Sequence, residues 1–237
     1  MNLEKQNKIY EGKAKILYST NDEKYLICYF KDDATAFNNL KKGTIVGKGI
    51  LNNAITARLF EKLNGIGIEN HFVEKISDRE MIVKKLQIIP IEVIVRNVVA
   101  GSLSKRMGIE EGVALKFPII ELCYKKDELG DPFINDEHCA VFDLCHEEEL
   151  KKIKQMAHQV NKFLISFFDQ INIRLVDFKL EFGRYQNQIL LGDEITPDGC
   201  RLWDKTTNEK LDKDRFRRDL GGVEQAYQLV YEKVMKI

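Results

Sequence analysis

The sequence predicts an α+β protein in which helices and strands are mixed. Three observations carry this. Short β-branched and aromatic runs fill the first third, strongly periodic helical segments lie at residues 50–63 and 147–170, and helices and strands do not alternate in the regular way a doubly wound sheet requires. The 237 residues suit one large domain or two small ones. Apolar residues make up 44% and charged residues 31%, which excludes an intrinsically disordered chain.

The elements follow in order. Ile9-Tyr10 and Ala14 to Tyr18 flank Glu11-Gly12-Lys13 as a hairpin, and Tyr25 to Phe30 follows the turn residues Asn21-Asp22-Glu23. Asp32 to Gly49 is polar, carries Gly43, Gly47 and Gly49, and reads as loop. Leu51, Ile55, Leu59 and Leu63 recur every four residues and predict a helix from Ile50 to Leu63, with Gly65 as its stop. Strands are expected at His71–Ile76, Met81–Leu86 and Ile91–Val99, with a soft boundary near residues 85–90. A small helix starts near Ser102, followed by a loop holding Asp127, Gly130, Asp131 and Pro132. Residues 147–170 carry one apolar stripe from Leu150 to Phe167 and form the clearest helix. Strands at Arg174–Phe182 and Ile189–Leu191 enclose a turn near Gln186, and a last helix from Asp214 to Val234 is interrupted at Gly221-Gly222.

Composition narrows function. The 37 Lys plus Arg balance 37 Asp plus Glu, so no basic face for nucleic acid is expected. The apolar run Ile88–Ala100 is broken by Glu92 and Arg96 and is shorter than the ~20 residues a membrane span needs. The charged N-terminus is unlike a signal peptide. Five cysteines without paired spacing read as thiols of a reducing cytosol, so the expected location is cytoplasmic.

The chemistry concentrates in a few segments. In Val176-Asp177-Phe178-Lys179-Leu180-Glu181-Phe182-Gly183, alternation places Val176, Phe178, Leu180 and Phe182 on one face and Asp177, Lys179 and Glu181 on the other. A turn near Gln186 brings Asp193 beside Lys179. Two carboxylates flanking a lysine fit a site for Mg²⁺ carrying nucleotide phosphates, whereas a solvated sheet face is the plain alternative. Arg96 sits in an apolar strand, where it needs a partner, just before Ala100-Gly101-Ser102 opens a helix. That is an anion seat involving Arg96, Ser102 and Arg106, or no more than an N-cap at Ser102. Tyr10-Glu11-Gly12-Lys13-Ala14-Lys15 could lay backbone over phosphates or be a solvated hairpin tip. The stretch from Asp193 to Asp204 is polar and turn-rich and holds Arg201 and the single tryptophan. The four histidines show no ligand spacing, and no Ser-His-Asp or Cys-His arrangement is evident.

These segments, together with Asp32–Ala36, Lys48–Asn53, Pro90–Asn97, Thr196-Pro197-Asp198 and Arg201–Asp204, resemble the SAICAR synthetase family in the right order from about residue 8 to 235. The resemblance implies an ATP-dependent ligase of de novo purine biosynthesis. It would join L-aspartate to the carboxylate of carboxyaminoimidazole ribonucleotide (CAIR) through an acyl phosphate. It also implies a β-rich N-terminal lobe (1–86) and a larger α+β lobe (87–237) around a kinase-like or ATP-grasp-like cleft, and a homo-oligomer, in the first instance a dimer.

By position, Lys13, Ala14 and Lys15 resemble phosphate contacts, Lys84 or Lys85 begins the adenine segment, and Lys125 lies near the nucleotide. Glu181 and Asp193 resemble Mg²⁺ ligands, with Lys179 between them and the phosphates. Arg96, Ser102 and Arg201 resemble the clamp on the ribonucleotide 5′-phosphate, and Asp177 and Asp198 are candidates for its imidazole or ribose side. Cys200 stands where serine is expected in many relatives, which leaves a ligand contact there open. The length leaves no room for the carboxylase domain fused to this enzyme in some animals. A small-molecule kinase acting on a hydroxyl is the competing reading, and a non-catalytic nucleotide-binding regulator a third.

Overall fold

A computed structural model describes residues 3–36 and 40–237. The N-terminal hairpin pairs β1 (Lys5–Glu11) with β2 (Lys15–Thr20), and β3 (Tyr25–Phe30) follows. The predicted loop after it contains two short strands, β4 (Asp33–Ala36) and β5 (Lys41–Thr44), which pair only with each other; residues 37–39 lie outside the described residues. Helix α1 (Lys48–Gly65) then leads to β6 (Phe72–Lys75) and β7 (Glu80–Lys84). The first sheet has the order β1-β2-β3-β7-β6, antiparallel throughout.

Helix α1 begins two residues earlier than its apolar period indicates because Asp32 caps it. The Asp32 carboxylate accepts the backbone N–H groups of Gly47 and Gly49 at 3.2 and 2.9 Å and is itself gripped by the Arg79 fork. Gly49 admits no side chain, since a Cβ there would stand 2.3 Å from the Phe30 carbonyl oxygen.

The second sheet begins at residue 87. It comprises β8 (Gln87–Val98), β9 (Ala114–Tyr124), β10 (Phe133–Ile134), β11 (Ile173–Tyr185), β12 (Gln188–Leu191) and β13 (Cys200–Asp204). Helices α2 (Gly101–Met107), α3 (Asp136–Val141) and α4 (Glu147–Gln170) are inserted between its strands, and α5 (Asp214–Arg217) and α6 (Val223–Val234) end the chain. The last pair confirms the break at Gly221-Gly222, both of which have positive φ. Strand β9 was not foreseen. Pro118, Lys116 and Glu121 interrupt its apolar pattern, and most of its side chains are partly exposed. Strand β13 also lies in a stretch read only as polar and turn-rich.

The sheet order is β10-β9-β8-β11-β12, so β11 is central, as its apolar strength predicts. Gln186 and Asn187 have φ of 47° and 64° and make the tight turn into β12. The far edge of β11 is divided. Residues 173–178 pair with β13, and residues 182–185 pair with β12. Between those partners the chain from Gly192 to Gly199 leaves the sheet beside Lys179 and Glu181, tied by Gly192 N–H to the Glu181 carbonyl and by Lys179 N–H to the Gly199 carbonyl. A gap between two strands sharing one neighbour is thus where the functional segment emerges.

Helix α4 covers one face of this sheet with Leu150, Ile153, Ala157, Val160 and Leu164, and its buried side chains belong to a core continuous with that of the first sheet. Val176 departs from its predicted place. A register irregularity between Leu175 and Asp177 puts Leu175 in the main core and Val176 in a smaller cluster with Val98, Ala100 and Trp203.

Candidate functional site

The sheet face opposite α4 is charged, and period-two alternation builds it. Arg96 on β8 lies opposite Asp177 on β11, Glu92 lies opposite Glu181, and Arg201 on β13 lies opposite Asp177 on its other side. These rows form two neighbouring clusters.

The first is an arginine cluster. Arg96 is only 2% exposed, so each part of its guanidinium needs a partner. It donates to Glu121 at 2.5 Å, Asp177 at 2.9 Å and the Ser102 hydroxyl at 2.9 Å. Arg201 donates to the same Asp177 carboxylate and to Asp214. Its remaining nitrogen, Nη2, lies against Gly101, where a Cβ would stand 2.4 Å away and where φ is +54°. Only glycine lets the backbone approach the guanidinium so closely. The start of α2 is already partly satisfied, because Gly101 N–H donates to Glu111 at 2.8 Å. The Ser102 hydroxyl remains exposed. Arg106 pairs with Glu121 instead of joining Ser102.

The second is a lysine cluster inside a cavity of about 440 Å³ between the two sheets. One end is apolar, with Leu17, Leu26, Val83, Leu86 and Ile88. At the other end Lys179 donates to Glu181 at 2.5 Å, Glu92 at 3.0 Å and Asp193 at 3.1 Å. Lys125 reaches Glu181 at 2.8 Å, and Lys15 pairs with both Asp193 and Glu194. These carboxylates hold the Lys15 and Lys179 ammoniums well above the usual lysine range despite burial. Glu194 is pushed up to about 8 by burial and by its neighbour Asp193. Among the described residues no three His, Cys, Asp or Glu side chains converge on a ready cation position; Glu181 and Asp193 share an ammonium instead.

Asp193 has a positive φ of 57°, and its carbonyl contacts His71 Nε2 at 2.9 Å. Burial, with Lys15 nearby, pushes the His71 imidazole down to about 4, so it is neutral and donates this hydrogen bond. Two backbone bonds join the same segments, His71 N–H to Leu191 and Leu191 N–H to Glu69. The first sheet thereby holds the Gly192–Glu194 strip against the second.

Of the residues singled out in the sequence, Lys13, Ala14, Lys15, Lys84, Lys125, Lys179, Glu181, Asp193 and Asp198 line this cavity. Lys13 stands at its rim, paired with Asp127 at 3.0 Å. Of the two alternatives at the start of the adenine segment, Lys84 faces the cavity. Lys85 is exposed, lies in the connection after β7 and does not line the cavity. Arg96, Ser102, Asp177 and Arg201 form the adjoining arginine cluster. Cys200 packs in the main core, so its thiol is no ligand contact. Glu92, Glu194, His71, Lys48 and Lys213 were missed. Glu92 was within reach of the sequence, since it lies on the same strand face as Arg96, four residues away.

Asp198 is closed off from behind. Its carboxylate accepts from Lys48 at 2.5 Å, Asn52 at 3.0 Å and the Tyr227 hydroxyl at 2.7 Å, and the charges of Lys48 and then Lys213 keep it ionised far below the ordinary range despite burial.

A family model described as SAICAR synthetase matches residues 8–234. The chain belongs to the SAICAR synthetase family. A phosphoribosylaminoimidazole-succinocarboxamide synthase of Sphingopyxis alaskensis is 57% identical over 97% of this chain and 91% of its own length. One of Clostridium botulinum is 53% identical over 99% of this chain and 100% of its own. The crystal structure of the Ehrlichia chaffeensis synthase superposes with a TM-score of 0.95 at 48% identity, covering 98% of this chain and 99% of that one. A SAICAR synthetase in complex with ADP gives 0.93 at 48% identity, covering 96% and 97%. Family membership makes the chain an ATP-dependent ligase of purine biosynthesis, as the sequence resemblance implies, and disfavours the hydroxyl kinase. No helix among the described residues is long and apolar enough to cross a membrane.

Proposed function

We propose that the chain condenses L-aspartate with CAIR, using ATP to phosphorylate the CAIR carboxylate before the amine attacks. The observation that carries this reading is the pair of adjoining clusters. One is a cavity with an apolar end and a lysine–carboxylate end; the other is an arginine–serine seat beside it. Adenine suits the apolar end next to Lys84 and Leu86, and its phosphates suit Lys13, Ala14, Lys15, Lys125 and Lys179. The ribonucleotide 5′-phosphate suits Arg201 Nη2 and the Ser102 hydroxyl, with Arg96 holding both that hydroxyl and Asp177 in place. Asp177 and Asp198 then flank the sugar and ring.

The donor chemistry fits Mg²⁺. At the charged end Glu92, Glu181 and Asp193 bring hard oxygen donors together beside the cavity, the donor type that suits such a cation. Glu181 and Asp193 would hold it, and it would neutralise phosphate charge. Lys179, released from them, would pair with the transferred phosphoryl oxygens. A carboxylate is a poor acyl donor, but its acyl phosphate, a mixed anhydride, is open to the amine and releases phosphate; this divides one hard step into two. Holding both anions in line is the protein's part.

The division into a nucleotide lobe (1–86) and a substrate lobe (87–237), a cytoplasmic location and a homodimer complete the reading. The change of sheet at residue 87 supports the first, five free buried cysteines the second, and exposed apolar side chains such as Phe117 and Phe133 the third. Steady ADP release, measured with each substrate omitted in turn, tests the function. It should require both L-aspartate and CAIR. Release that ignores aspartate would identify a hydroxyl kinase, and no release a regulator.

A further inference from the structure

Most cations of the cavity can be matched with the anion that holds them; Lys84, at the apolar end, instead meets the Asn70 carbonyl and the Tyr185 ring. Lys15 is held by Asp193 and Glu194, Lys125 by Glu181, and Lys179 by three carboxylates, while Lys13 pairs at the rim with Asp127. Lys213 is different. It lines the same cavity, beyond the carboxylates and next to Asp198 and Gly199, at the end away from the apolar slot. Its side chain is 13% exposed, so its charge has lost most of its water.

Among the described residues the one carboxylate that approaches it is Asp198, at 3.9 Å, too far for a hydrogen bond. Asp198 is moreover already satisfied, by Lys48 and Asn52 on one oxygen and by Tyr227 on the other. The main chain fixes where Lys213 stands, because its N–H donates to the Pro197 carbonyl and it caps α5. Burial first, then the nearby charges of Arg217 and Lys48, push its ammonium below the ordinary lysine value, against the opposing pull of Asp198 and Glu194.

We propose that Lys213 binds a carboxylate of the amino-acid substrate, L-aspartate, and so begins the amine-donor subsite. This rests on the function proposed above. There the nucleotide phosphates take the lysines around Glu181 and Asp193, and the ribonucleotide phosphate takes the arginine cluster. Beyond the CAIR carboxylate, which meets the transferred phosphoryl group, the substrate anions still without a cation are the aspartate carboxylates, and, among the described residues, the cation at this end of the cavity with no carboxylate within hydrogen-bond distance is Lys213. Its position beside Asp198, which flanks the imidazole in that arrangement, sets the amine donor on the acceptor side of the phosphates, where attack on an acyl phosphate requires it.

Steady-state kinetics of Lys213→Gln and Lys213→Arg, with each substrate varied, tests the subsite, and succinate, a dicarboxylate without the amine, serves as a probe. Lys213→Gln should raise the KM for L-aspartate at least about tenfold, the loss of one charged hydrogen bond. The KM values for ATP and CAIR should stay within about twofold. Competitive inhibition by succinate should weaken in parallel, and Lys213→Arg should recover part of both losses. Removing an unbalanced buried charge should leave Tm unchanged or higher; if Lys213→Gln nevertheless fails to fold, the aspartate KM of Lys213→Arg decides alone, and an unchanged value refutes the subsite. An unchanged aspartate KM in a folded Lys213→Gln, or a rise confined to CAIR, also overturns the assignment while leaving the ligase reading intact. A wild-type protein that turns over without aspartate overturns both.

Discussion

Lys48 and Lys179 are both lysines set against carboxylates on the same side of the second sheet, and they represent opposite solutions. Lys48 is wholly buried at the start of α1, where a cation opposes the helix dipole, and one carboxylate, Asp198, balances it at 2.5 Å. That oxygen is completed by Asn52, and the group is closed. Lys179 retains 29% side-chain exposure and touches three carboxylates, so the charge around it is unequal and open to the cavity. A balanced, sealed pair serves the scaffold. An unbalanced, accessible cluster is poised to exchange its partners for ligand charges.

Breaking the open cluster should therefore cost activity, and breaking the closed one should cost stability. The largest effect is expected from Glu181→Gln. Turnover at saturating Mg²⁺ should fall by about a thousandfold, on the order of 4 kcal/mol, while Tm changes little. Near-normal turnover would remove Glu181 from the chemistry. Lys48→Met should do the reverse. An unpaired buried Asp198 costs about 3 kcal/mol of unfolding free energy, readable by chemical denaturation, with a smaller loss of turnover in the protein that remains folded. A stability loss below about 1 kcal/mol would erase the contrast.

A smaller effect sharpens the picture at the arginine cluster. Ser102 is exposed, so Ser102→Ala leaves the fold intact, and it should raise the KM for CAIR about fivefold, the worth of one hydrogen bond, without moving that for ATP. Equal movement of both would detach Ser102 from the ribonucleotide. The smallest effect lies away from either cluster, at the start of α4. Glu149 accepts both Arg184 nitrogens and the His146 N–H, with Arg184 the main cause of its carboxyl falling to about 2. A depressed carboxyl stabilises the fold above its unfolded value of about 4.5, and this is lost as pH falls from there toward 2. Because the pair is partly solvated, Glu149→Gln should cost at most about 1 kcal/mol at pH 7 and nothing near pH 2.

What the sequence disclosed follows the same division between local pattern and long-range pairing. Helix α4 was legible to its ends because 24 residues repeat one stripe, and β11 because its alternation is strong. The Lys179–Asp193 contact followed from the turn at Gln186, which is local. Strands β4, β5 and β9 were not legible. Their sequences are polar or interrupted by Gly43 and Pro118, and their partners, not their residues, make them strands. Val176 was assigned to the wrong face because a bulge shifts the alternation by one residue, and no residue type announces it. The partly hidden site residues share this cause. Lys48 and Asp198 are 150 positions apart, Lys15 and Asp193 are 178 apart, and only folding shows that Lys213 stands 3.9 Å from an Asp198 already bonded to Lys48.

The central claim is that the open lysine–carboxylate cluster transfers a phosphoryl group to the CAIR carboxylate and that no side chain is phosphorylated on the way. Turnover of CAIR carrying ¹⁸O in its carboxylate, followed by mass analysis of the released phosphate, tests it most directly. The acyl phosphate gives up one carboxylate oxygen when the aspartate amine displaces it, so one ¹⁸O should appear in each phosphate. Unlabelled phosphate, or a phosphorylated protein recovered on acid quench, would contradict the account.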